Sequence, residues 1–69
     1  MKYGAYQAEI HYSDETKRLH GHVVNVPLRD LVLFEGTSVE ELRTDFAGAI
    51  ADYEVTLREA GREPATVKA

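Results

Sequence analysis

The fold is decided by the stretch Ser38-Val39-Glu40-Glu41-Leu42-Arg43-Thr44-Asp45-Phe46-Ala47-Gly48-Ala49-Ile50-Ala51-Asp52-Tyr53-Glu54-Val55-Thr56-Leu57-Arg58-Glu59-Ala60-Gly61. Ser38 followed three residues later by Glu41 is a capping box, in which the serine oxygen takes a free backbone N–H and the glutamate reaches back. Glu40 and Glu41 also place carboxylates in the first turn, at the positive end of the helix dipole. Val39, Leu42, Phe46, Ala49, Ile50, Tyr53, Leu57 and Ala60 follow at steps of three and four and make one apolar stripe. Gly61 suits the residue after the helix, and Pro64 blocks continuation. The spacing predicts one helix from about Val39 to Ala60. Gly48 inside it costs about 1 kcal/mol against alanine; it either admits a close neighbour or is tolerated.

Before the helix the period changes from 3.6 to two. Tyr6, Ala8, Ile10 and Tyr12 alternate with Gln7, Glu9 and His11, the pattern of a half-buried strand. Ser13 to Arg18 is polar and reads as a hairpin loop. Leu19 to Val26 is a second strand, with Gly21 marking a bulge or a close approach to the backbone. Pro27-Leu28-Arg29-Asp30 reads as a turn. The apolar run Leu31-Val32-Leu33-Phe34 is predicted to be a third strand, covered on both faces, that stops at Glu35-Gly36. The expected fold is α+β: a three-stranded antiparallel β-sheet with one α-helix packed on one face, and a short final strand as a further possibility in the tail. The helix stripe should lie on Tyr6, Ala8, Ile10 and Tyr12.

With 69 residues the chain has room for one domain. A domain of this size buries roughly 60% of its unfolded surface, so support from association or a ligand is common. Cysteine is absent, which excludes disulfides and thiolate metal sites. No segment resembles a signal peptide or a membrane span, and a cytoplasmic location is the expectation. The formal charge of −4 argues against unaided nucleic-acid binding.

Across nearly its whole length the chain resembles the N-terminal domain of HicB antitoxins. The resemblance rests on Tyr3-x-x-Tyr6, the acidic hairpin with Asp14-Glu15, and Leu19-His20-Gly21-His22-Val23. It continues through Arg29-Asp30-Leu31-Val32-Leu33-Phe34-Glu35-Gly36, then Ser38-Val39-Glu40-Glu41-Leu42, Phe46, Ile50, Asp52-Tyr53 and Gly61-Arg62-Glu63-Pro64. It implies a partial RNase H fold without a nuclease site, and a domain that binds and blocks a small RNA-cleaving toxin of the HicA type. Many members carry a further DNA-binding domain, which would begin where residues 65–69 stand. The expectation is therefore a single HicB-like domain over residues 1–69, not an enzyme, without a cofactor and without DNA binding of its own. Two other classes compete with this one: a stand-alone oligomeric scaffold without a toxin, and a metal-dependent nuclease remnant.

Three groups of residues could carry function. His11, His20 and His22 share a strand face with Glu9 if the hairpin register is favourable, and such a set could hold zinc. A one-residue slip would separate them, and a plain polar face is the commoner meaning. Glu9, Asp14, Asp30 and Glu35 are the acids on or near strands that a two-metal nuclease would need, but their placement in the chain suggests turn and edge roles. The third group is a pair of binding surfaces. One helix covers only one face of a sheet, so Val24, Val26, Leu31, Val32 and Leu33 are candidates for self-association into a homodimer or tetramer. Glu40, Asp45, Asp52 and Glu54 are candidates for meeting a basic partner. Six acids against two arginines between Ser38 and Ala60 account for the whole formal charge. Such charges are most often a solvated helix face, but they would also steer a basic protein.

Overall fold

A computed structural model describes residues 1–27 and 30–63. Leu28 and Arg29 within the turn expected over Pro27-Leu28-Arg29-Asp30, the stop at Pro64 and any strand in residues 65–69 lie outside the described residues; at the ends of that turn the Asp30 N–H donates to the Pro27 carbonyl at 2.8 Å. The elements are β1 (Lys2–Tyr3), β2 (Tyr6–Ser13), β3 (Arg18–Val23), β4 (Leu33–Gly36) and α1 (Val39–Glu59). The strands form one antiparallel sheet in the order β1-β2-β3-β4, and α1 packs across one face.

Alternation in β2 works as the period of two requires at its start. Tyr6 and Ala8 are buried in one core with the α1 side chains and Ile10 is half-buried, whereas Tyr12, toward the end of the strand, is 59% exposed. The helix contributes Leu42, Phe46, Ile50 and Leu57, the four largest fully buried side chains among the described residues. Phe34 and Phe46 stack with ring centroids 4.3 Å apart. Their stacking explains Gly21: a Cβ there would stand 2.3 Å from the Phe34 ring, so the aromatic lies directly on bare β3 backbone. Gly36 has the same role at the helix entrance, where a Cβ would meet the Leu42 nitrogen at 2.7 Å.

The helix ends follow the local code with one variation. The Ser38 hydroxyl accepts from the Glu41 N–H at 3.1 Å. Glu41, however, reaches back to Thr37 rather than to Ser38, accepting from both its N–H and its hydroxyl. The threonine offers two donors to one carboxylate, and these bonds hold the Glu41 carboxyl below its ordinary pKa. At the other end Gly61 takes φ +71°, with Gly61 N–H bonded to Arg58 and Arg62 N–H to Leu57. This is the Schellman pattern. Gly48 has open space where a Cβ would project, so it is tolerated there rather than required.

Three expectations are corrected. The sheet has a fourth strand, the two-residue β1, joined to β2 by Gly4-Ala5 with Gly4 at φ +58°. The strand after the turn is Leu33–Gly36 rather than Leu31–Phe34, and it is covered on one face only: Leu33 and Glu35 are exposed, Phe34 and Gly36 buried. Val26 and Val32 are core residues, 7% and 5% exposed, and not part of an outer patch. The regular β3 strand ends at Val23, so counting outward alternation on to Val26 fails.

Candidate functional site

The face of the sheet turned away from α1 carries the candidate residues. The hairpin register pairs Ser13 with Arg18 across the loop and thereby sets Glu9 opposite His22 and His11 opposite His20. On the far side of β3, His22 faces Leu33 and His20 faces Glu35. The result is a band of two acids and three histidines across three strands. Glu9 Oε2 lies 3.8 Å from His11 Nε2 and 3.4 Å from His22 Nε2. His20 is turned the other way, with Nδ1 3.6 Å from Glu35 and Nε2 3.4 Å from the Thr16 hydroxyl. The structure therefore groups Glu9 with two of the three histidines and separates the third.

Beside this band lies a groove of about 540 Å³ lined by His11, His20, His22, Leu31, Leu33 and Glu35 among others. Leu31 is 78% exposed, Leu33 59% and Val24 39%. These three remain of the five self-association candidates; Leu31 and Leu33 line the groove, and Val24 follows the end of β3. β4 is also its edge strand. Val23 N–H donates to the Val32 carbonyl, which fixes the alternation: Val32, Phe34 and Gly36 turn their backbone toward β3, and Leu31, Leu33 and Glu35 turn theirs outward. One of those outward N–H groups is occupied. Asp45 on α1 accepts the Glu35 N–H at 2.8 Å, closing part of the edge from within.

The four acidic helix candidates divide accordingly. Glu40 and Asp52 face solvent, whereas Asp45 holds the β4 edge and Glu54 accepts a hydrogen bond from the Tyr6 hydroxyl at 3.3 Å. The acids considered for nuclease chemistry are dispersed. Asp14 pairs with Lys17 inside the hairpin loop. Glu35 pairs with Arg18 and His20. Glu9 belongs to the histidine pair. Asp30 lies against the C-terminal end of α1, where Arg62 donates to both of its oxygens at 3.1 and 2.8 Å and the Tyr53 hydroxyl donates to it as well. Burial, and then the bond to Asp30, push the Tyr53 hydroxyl up to about 12.

The Asp30–Tyr53–Arg62 clamp and the Asp45 edge contact were not visible in the sequence. Each joins residues far apart in the chain, and neither has a local motif. A second polar anchor, Asn25, is buried and ties the Ala5 carbonyl and the Gln7 N–H to the end of β3. Among the described residues no helix is long and apolar enough to cross a membrane. Comparison with family models, with curated proteins and with solved structures found no match.

Proposed function

We propose that this chain is a protein-binding domain of the HicB antitoxin kind, which masks a small basic RNA-cleaving toxin of the HicA type in the cytoplasm and does no chemistry of its own. The observation that carries the reading is the placement of Leu31 and Leu33. Two leucines, 78% and 59% exposed, stand side by side on the open face at the free edge of the sheet. Fully covering such a side chain contributes roughly 1.5–3 kcal/mol, and a 69-residue domain gains proportionately from it. Self-association into a homodimer or tetramer through Val24, Leu31 and Leu33 is the first part of the proposal.

Charge supports the second part. The six acids of the helix region oppose only two arginines, and a protein that grips RNA phosphates is basic, so the helix side would attract it and speed encounter. Glu40 and Asp52 are placed for direct contact. Asp45 and Glu54, bound within the domain, contribute to the field. The same negative charge disfavours DNA binding by this chain alone.

Sedimentation equilibrium of the wild type and of Leu33→Ser tests the first part, with a dimer or larger species expected for the former and a shift toward monomer for the latter. A wild type that stays monomeric at high concentration removes it. The second part is tested by adding the purified chain to a purified small basic RNA-cleaving toxin of the HicA type and following RNA cleavage, which should be suppressed near equimolar ratio. Self-association without any inhibition would favour the scaffold reading instead.

A further inference from the structure

Two histidine rings from neighbouring strands converge on one carboxylate oxygen. One ligand atom from each of Glu9, His11 and His22 falls within 4.8 Å of the other two. The imidazole rings stand parallel, 4° apart in orientation, with centroids separated by 5.5 Å. The backbone fixes this arrangement from two directions: Glu9 and His11 are two apart on β2, and the register sets His22 opposite Glu9 on β3. Donor atoms bound at about 2.0–2.1 Å around a tetrahedral centre are separated by roughly 3.3 Å. The Glu9–His22 and Glu9–His11 separations, 3.4 and 3.8 Å, are already close to that edge. The side chains are exposed and half-exposed, so small rotations of the two rings close the remaining gap.

We propose that Glu9, His11 and His22 form a binding site for a divalent transition metal of the zinc type, with the fourth position open to water. Two imidazole nitrogens and one carboxylate oxygen suit a borderline cation at tetrahedral geometry, whereas magnesium and calcium require six or more oxygens. His20 is not a ligand, because its ring is directed to Glu35 and Thr16. The site is independent of the toxin-masking proposal and stands or falls separately from it.

The test is titration of the full chain with zinc by calorimetry, together with the visible absorption spectrum of the cobalt(II) form. The expected result is one zinc per chain and intensified cobalt bands of low coordination number. His11→Ala and His22→Ala should each weaken binding by more than the ~10–100-fold that loss of a ligand's supporting partner costs. Glu9→Gln should weaken it as well, and His20→Ala should leave it unchanged. All four positions lie on the open face, so far-UV circular dichroism should be the same for every variant. Zinc uptake by the His11→Ala/His22→Ala double variant equal to that of the wild type, or a cobalt spectrum that stays that of the aquated ion, overturns the proposal.

Discussion

The two faces of this sheet are drawn from the same strands and obey opposite rules. Toward the helix, Tyr6, Ala8, Val23 and Phe34 are buried, and Gly21 is bare so that an aromatic ring can lie on the backbone. Away from it, Glu9, His11, His20, His22 and Glu35 form a polar band beside Leu31 and Leu33. The first face is specified by shape and the second by chemistry. The domain's stability should therefore depend on one face and its interactions on the other, and substitutions can separate the two.

The largest contrast is between the ring at the centre of the core and the leucine on the edge. Phe46→Ala should cost about 3–5 kcal/mol, because it removes a fully buried ring and the stack with Phe34. Leu33→Ser should change the unfolding free energy of the separated monomer by no more than about 0.5 kcal/mol. Urea denaturation at dilute concentration measures both, and equal losses would erase the distinction between the faces. An intermediate effect is expected at the helix C-terminus. The Tyr53 hydroxyl is raised to about 12 from an ordinary value of 10.0. Its stabilising contribution is then fully present below pH 10 and lost as the pH rises through 12, because the unfolded chain ionises first. Stability should fall across that window in the wild type and fall less in Tyr53→Phe, which also forfeits the hydrogen bond to Asp30 at neutral pH, for about 1 kcal/mol. A pH profile unchanged by the substitution would show that the clamp does not couple to folding. The smallest effect has the opposite sign. Gly48→Ala adds a methyl group into open space on the helix and should stabilise by about 0.5–1 kcal/mol; a lower melting temperature would reveal a neighbour at that position.

Those sites also differ in how far the sequence announced them. The helix was readable almost to the residue, because Ser38, Glu41 and Gly61 act within one turn of where they stand. Only the partner of Glu41 differed: its carboxylate accepts from the N–H and hydroxyl of Thr37 instead of the N–H of Ser38. β2 was plain from its alternation, whereas the second strand of the hairpin, expected over Leu19 to Val26, ends at Val23. β1 was missed because two residues cannot display a period. The displacement of β4 has a different cause: Leu31 to Phe34 is uniformly apolar, and composition cannot distinguish inward from outward residues when every residue is hydrophobic. The histidine set was visible as residue types but depended on a register that the loop Asp14–Lys17 fixes only once folded. Asp30, Tyr53 and Arg62 were beyond reach, since their meeting depends on where the end of α1 docks.

The bond from Asp45 to the outermost strand has a consequence for growth of the sheet. A β-layer with long bare margins on both sides can polymerise indefinitely. Here β1 pairs with only the first residues of β2, which leaves residues 9–13 without a strand on that side among the described residues, whereas at the other margin a carboxylate from the helix already holds the Glu35 amide. A second molecule can pair with β4 over only a short segment before meeting that plug, so the sheet accepts a strand more readily on its β2 side than on its β4 side, and this asymmetry works against indefinite growth.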